Sequence, residues 1–346
     1  MLRQLIAFEE KRRLSRDTNR KVLPFEWGLE FLGLRDGHGN PRQTLEAYVD
    51  RAMKNSDEFF RHTSPSQYSF DGFHLRFPSQ VETPSLENNT VHARYFPATY
   101  GSKHPRLRPA VIVMPQWNGD IQAHVALSKL FARFGISALR LSLPYHDWRK
   151  PAELERSDYM VCSNVGRTLQ ASLQAILDVR RAADWLQQQG YNRLAVMGTS
   201  IGSSVAFLTF AHDARFDAAI FNHGSSYFGD VVWTGITTQH VRKGLETELT
   251  QEELRRFWSP ISPFPFIQKL KTNPRKMLLI SAKYDLSFLP EFSADVFREY
   301  HAHKIPVEIQ LMPCGHYTLG EFPFSWFIAA RMIRFLRKSL LSGPAA

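Results

Sequence analysis

Leu194-Ala-Val-Met-Gly198-Thr-Ser200-Ile-Gly202-Ser203-Ser204 is the stretch on which the fold of this 346-residue chain turns. Its apolar start predicts a short buried strand over Leu194–Met197, and the apolar run beyond Gly202 predicts a helix over Ser200–Ala211. Between them lies a tight turn with glycines two before and two after Ser200. A serine in such a turn is held in a strained backbone, so that its hydroxyl stands clear above the sheet. Any side chain at 198 or 202 would crowd the neighbouring strand and helix. The helix starting there also sets its positive N-terminal dipole beneath the serine. The plainer alternative is a tight turn with a structural serine. What separates the two is whether a base and an acid arrive at neighbouring strand ends.

Working outward, short apolar strands alternate with helices. Ala110–Met114 reads as a strand, His124–Phe134 as an amphipathic helix and Ile136–Leu143 as the next strand. A long helix follows over Leu169–Gln189. Ala218–Phe221, Met277–Ser281 and Val307–Leu311 read as further strands, with helices over Glu291–His303 and Trp326–Leu341. Such alternation predicts an α/β fold, a mostly parallel central sheet covered by helices on both faces. Ligands of such sheets bind at the carboxyl ends of the strands. From Tyr68 to Tyr100, aromatic and β-branched runs broken by turn residues predict leading strands. Residues 1–66 are charged and helical in pattern, with Leu2, Leu5, Ile6 and Phe8 as one candidate face and Leu45, Val49, Met53 and Phe59/Phe60 as another. The division expected is therefore an N-terminal helical extension over 1–66, packed on a domain over 67–346. Residues 224–274 interrupt the rhythm with Tyr227, Phe228, Trp233, Phe257, Trp258, Phe264 and Phe266, and read as a cap or lid insertion. Those aromatics could equally pack the insertion onto the core.

A serine hydroxyl needs a base, and the base needs an orienting acid. Asp285 follows the Met277–Ser281 strand in Lys283-Tyr-Asp285, and His316 follows the Val307–Leu311 strand in Cys314-Gly-His316. The order serine, aspartate, histidine matches the strand–turn–helix nucleophile motif. Asp230, after the Ala218–Phe221 strand, is the alternative acid. A tetrahedral intermediate needs two aimed N–H donors. One is expected at Ile201 and the other in the turn Pro115-Gln-Trp117-Asn-Gly-Asp120, at Trp117 or alternatively Gln116. Asp120 could instead serve to cap the helix that follows.

Gly198-Thr-Ser200-Ile-Gly202, Asp285 and Gly315-His316 together resemble the α/β-hydrolase superfamily, from about Tyr68 to Leu341. Esterases and dienelactone-hydrolase-like members look most similar. The resemblance implies a Ser-His-Asp hydrolase that works through an acyl-enzyme and needs no cofactor. One departure is visible: the oxyanion turn of many members begins His-Gly, and here those positions hold Pro115 and Gln116.

Composition narrows the rest. The chain is 43% hydrophobic and 22% charged, with a net charge of +10. Lys11, Arg12, Arg13, Arg16, Arg20 and Lys21 crowd the first segment. No nucleic-acid motif accompanies them, and they read as a solvated face, with peripheral contact to an anionic membrane as the alternative. Met1–Ala7 is too short for a signal-peptide core, and no apolar run is long enough for a membrane helix. Two cysteines, Cys162 and Cys314, are too few for a disulfide scaffold, which fits a reduced, cytoplasmic protein. His223 and His240 lack metal-ligand spacing, so no metal is expected. His146-Asp-Trp-Arg149, after a strand end, could line the pocket or be structural. The function expected is hydrolysis of a carboxylic ester, a small-molecule acyl substrate. Rivals are an acyltransferase with the same triad, a membrane-surface lipid hydrolase and an inactive binding scaffold. A peptidase is less expected, because no propeller-like repeat gates the site.

Overall fold

A computed structural model describes residues 2–34, 39–99 and 106–341. Three helices come first: α1 (Leu2–Leu14), α2 (Pro41–Lys54) and α3 (Ser56–Phe59). Strands β1 (Ser69–Phe70), β2 (His74–Pro78), β3 (Thr90–Phe96) and β4 (Pro109–Met114) lead to α4 (Val125–Arg133), β5 (Ser137–Leu141) and α5 (Val165–Gln188). Then come β6 (Arg193–Thr199), α6 (Ile201–His212) and β7 (Phe216–Asn222). Four short helices follow: α7 (Phe228–Thr234), α8 (Gln239–Leu245), α9 (Gln251–Phe257) and α10 (Lys269–Thr272). The chain closes with β8 (Lys276–Ala282), α11 (Pro290–Ala302), β9 (Glu308–Met312) and α12 (Phe324–Leu340).

The nine strands form one sheet in the order β1-β2-β3-β5-β4-β6-β7-β8-β9. β1, β2 and β3 pair antiparallel, as do β3 and β5. Every neighbour from β5 to β9 is parallel. This is the α/β-hydrolase arrangement expected from the sequence. The central strands are buried on both faces, which is why they read as unbroken apolar runs. In β4, Ile112 and Met114 point into a core shared with α5 and α6. Val111 and Val113, one position out of phase, point into a second core with α4 and α12. That alternation is the period of two that a strand imposes. A cap fixes the start of α5, where the Asn164 side chain accepts from the Arg167 N–H at 2.8 Å.

The N-terminal helices differ in how they pack. Leu45, Val49 and Phe60 are buried in the core, and Met53 and Phe59 pack against it. In α1 the expected apolar face is not formed: Leu5 and Phe8 are exposed, and the inward residues are Ile6 and Glu10. In the 224–274 stretch, Phe228, Phe257, Trp258 and Phe266 join the core shared with α5 and α6. Tyr100 lies outside the described residues. Among the described residues, no helix is long and apolar enough to cross a membrane.

Candidate active site

Met114, Gly198, Asn222, Ala282 and Met312 end or nearly end β4, β6, β7, β8 and β9, five neighbours in the sheet. Ser200, His223, Asp285, His316 and the Pro115–Asp120 turn each stand just past one of these ends, on the edge where parallel sheets bind ligands.

Ser200 occupies the turn between β6 and α6 with φ 56° and ψ −121°. A side chain in such a sparsely populated region stores of order 1–3 kcal/mol, so surrounding structure must hold it. Here the Ser200 N–H donates to Asn222 O at 2.9 Å. The Ser203 hydroxyl lies 2.6 Å from Ser200 O and 3.0 Å from His223 O, tying the turn to the end of β7. The glycines are enforced by close approach. A Cβ at Gly198 would sit 1.8 Å from Gly202 O, and one at Gly202 would sit 2.7 Å from Pro115 O. Both clashes are with backbone, so no rotamer relieves them. The serine hydroxyl itself makes no hydrogen bond among the described residues.

Asp285 follows β8 and is buried. One carboxylate oxygen accepts the N–H groups of Ser287 and Phe288 at 2.8 and 2.7 Å. The other faces two imidazoles, His316 Nδ1 at 2.9 Å and His223 Nδ1 at 3.0 Å. Burial alone would raise this carboxyl, but the facing His316 and His223 hold it well below the usual range. An ionised Asp285 fixes the tautomer of His316: Nδ1 carries the proton, and Nε2 keeps its lone pair for a reacting group. Burial works against a charge on His316, yet the Asp285 carboxylate outweighs it and raises the imidazole's pKa. Phe288 stacks on the His316 ring, with centroids 5.1 Å apart.

The turn after β4 is braced from behind. The Asn118 N–H donates to His146 Nε2 at 3.0 Å, and the Asn118 side-chain oxygen accepts from Ser157 N at 2.7 Å. The Trp117 indole N–H donates to Ser157 O at 3.0 Å. The backbone N–H groups of Gln116 and Trp117 have no partner among the described residues, so both remain open as donors. Asp120 accepts from Gln122 and Ala123 N–H, holding the turn that precedes α4 rather than capping the helix itself.

Other residues singled out from the sequence lie elsewhere. Asp230 is buried against Arg255 and Gln251, 2.8 and 2.9 Å away, and bonds no histidine among the described residues. His146 accepts from Asn118, whereas Asp147 pairs with the buried Arg140 and Arg149 with the buried Asp178. The His146–Arg149 loop is therefore scaffold. Cys314 is buried and its thiol is pushed up to about 12 by that burial, so it is an inert packing group. The basic segment is partly neutralised: Arg12 and Arg13 pair with Glu9, Arg13 also with Glu321, and Arg20 with Asp17.

Two residues around the Asp285–His316 pair were not expected there from the sequence. His223 stands one residue past β7, at a strand end like Asp285 and His316, and that position was the available signal. It has φ 60°, and burial, then the neighbouring His316, lower its pKa. Glu10 reaches the His316 loop from α1, and no local pattern marks it. Ligand-capable atoms of His223, Asp285 and His316 all lie within 4.8 Å of one another, a donor set that a cation could use. As bonded here, each imidazole spends an N–H on Asp285. His240 does not join them; it stacks on Trp117 with centroids 5.8 Å apart.

The sheet order and the strand-end turn are those of the α/β-hydrolase fold, which the solved structures below share. The sequence profile of the prolyl oligopeptidase family matches residues 169–340. No curated protein sequence matches the chain. Among solved structures, an acylaminoacyl peptidase of Pyrococcus horikoshii superposes with a TM-score of 0.60 at 13% identity, covering 82% of this chain and 43% of its own. This chain thus spans less than half the length of that peptidase. Acetyl xylan esterase 1 from Thermoanaerobacterium sp. JW/SL YS485 superposes with a TM-score of 0.60 at 15% identity, covering 85% of this chain and 98% of its own. An acetyl xylan esterase from Paenibacillus sp. R4 gives 0.59 at 16%, covering 84% and 98%.

Proposed function

We propose that the protein is a serine hydrolase that cleaves a carboxylic ester through an acyl-enzyme. The observation that carries this is the joint arrangement of a strained Ser200 and an Asp285–His316 pair at neighbouring strand ends. His316 Nε2 takes the Ser200 proton as the hydroxyl attacks the acyl carbon. Catalytic hydrogen bonds are often long before substrate binds, so the unpaired Ser200 hydroxyl fits this role. The imidazolium formed is stabilised by Asp285, which stays ionised. The oxyanion rests on the N–H groups of Ile201 and of Trp117, with Gln116 as the alternative second donor. Each such donor is worth roughly 3–4 kcal/mol in the transition state. His316 then returns its proton to the leaving alcohol, and water repeats the sequence to release the acid.

The near full-length correspondence with the acetyl xylan esterases supports an ester as substrate. Cleavage of an acyl-peptide bond is the second reading, favoured by the prolyl oligopeptidase profile over residues 169–340. The free Cys162 and Cys314 support the cytoplasmic location proposed with it. The test is labelling with a fluorophosphonate, wild type against Ser200→Ala, followed by acyl esters of graded chain length and N-acyl peptides, with and without added alcohols. Labelling that is lost in Ser200→Ala, with turnover of the esters, is expected. A folded wild type that does not label would overturn the reading. Preferred turnover of N-acyl peptides would replace the ester.

A further inference from the structure

The loop that carries His316 is held from outside the sheet. Glu10, on α1, is fully buried. Its carboxylate accepts the Tyr317 N–H at 3.1 Å through both oxygens and the Thr318 N–H at 3.2 Å. The Thr318 hydroxyl lies 3.4 Å from the same carboxylate and also accepts the Gly315 N–H at 2.7 Å. The residues on both sides of His316 are thus tied to one side chain. Gly315 makes room for it: a Cβ there would sit 2.4 Å from Glu10 Oε1 and 2.5 Å from its Cδ. Among the described residues no Lys, Arg or His pairs with Glu10. A buried carboxylate without a cation is costly unless N–H groups satisfy it, and here the loop supplies them. Burial raises the Glu10 carboxyl, and the Tyr317 and Thr318 N–H groups oppose that rise. Two further contacts tie the same segment to the start of the chain, Arg13 to Glu321 at 2.7 Å and Arg20 to the Tyr317 hydroxyl at 3.4 Å.

Resting on the serine-hydrolase reading, we propose that Glu10 is a positioning residue: it holds the Gly315–Thr318 loop from α1 and so sets the His316 imidazole for proton transfer. Glu10 does not touch substrate or Ser200. It acts through the backbone on either side of the base. Misplacing a reacting group by about 1 Å costs on the order of 100-fold, so loss of this tether falls on kcat and leaves KM nearly unchanged.

The experiment compares Glu10→Ala, Glu10→Gln, Gly315→Ala and the Glu10→Ala/Gly315→Ala double variant. Each is followed by fluorophosphonate labelling rate, kcat and KM on the best ester found, and urea midpoint. Glu10→Ala is expected to lower kcat and the labelling rate by roughly 10- to 100-fold with KM within about threefold. Glu10→Gln keeps one carbonyl oxygen for Tyr317 and Thr318 and is expected to recover most of the rate. Gly315→Ala is expected to slow the enzyme on its own, because its methyl displaces the carboxylate. It should add little once Glu10 is gone, since the clash has gone with it. Equal labelling and kcat in wild type and Glu10→Ala would overturn the proposal and leave the serine-hydrolase reading standing. So would additive effects in the double variant, or a fall in midpoint with no fall in rate. A folded wild type that fails to label would remove the reading, and the proposal with it.

Discussion

Acid weakens this fold at several histidines whose burial lowers their pKa to about 4, among them the one behind the turn after β4. His146 is fully buried, and its Nδ1 donates to Pro144 O at 2.8 Å while Nε2 accepts the Asn118 N–H at 3.0 Å. Only the neutral ring can do both, and burial lowers its pKa to about 4. The unfolded chain binds the same proton near pH 6.5. Its stabilising effect is therefore complete above about pH 6.5 and is lost as the pH falls from there towards 4. Between pH 7 and pH 5 the two values give a loss of about 2 kcal/mol from this residue alone, by linkage. Urea unfolding of wild type and His146→Gln at both pH values measures it. Glutamine can accept from Asn118 and donate to Pro144 without titrating, so its stability should fall by about 2 kcal/mol less over that interval. Identical pH dependence in the two proteins would refute the reasoning. Because Asn118 follows Trp117, the acid-induced loss of ester turnover should also be smaller in the variant.

Two further outcomes are expected. His223→Ala removes one N–H donor from Asp285, a charge-assisted bond worth about 1.5–3 kcal/mol. It should lower kcat by roughly 10- to 100-fold with little change in KM, read in steady-state kinetics, and an unchanged kcat would show that Asp285 needs only His316. Arg149→Met leaves Asp178 buried without its partner, now 2.9 Å away, and should cost about 3–5 kcal/mol by urea unfolding. The Arg149→Met/Asp178→Leu double variant should recover much of that, and a double no better than the single would mean that the pair itself is not the cause.

The parts of this molecule that were legible in its sequence are those written in local spacing. Buried parallel strands declare themselves as short apolar runs, so β4, β6, β7 and β8 were read nearly to the residue. Ser200, Asp285 and His316 were picked out because each lies within a few residues of such a run. The turn glycines were legible because Gly198 and Gly202 meet backbone, a clash independent of distant sequence. What was missed depends on contacts between remote segments. Glu10 serves a loop 307 positions later, and nothing around it records that. His146 was read as either pocket lining or structural, and its bond to Asn118, which depends on how two loops meet, was not visible. Leu5 and Phe8 looked like half of an apolar face, but the α1 surface turned inward is set by where Glu10 docks. His223 was weighed only as a metal ligand, although its place after β7 is the same kind of position that picked out Asp285.

The bond between Glu10 and the Tyr317 amide also sets a clock during synthesis. At about 5–20 residues per second, a ribosome takes roughly 15–60 s to travel from one to the other. Towards the end of that interval the Ser200 turn has been made, while the His316 loop has not. On the function proposed above, the nascent polypeptide then holds its nucleophile without its base. The proposed base is set in place only when the His316 loop emerges and closes on a helix made 307 residues earlier.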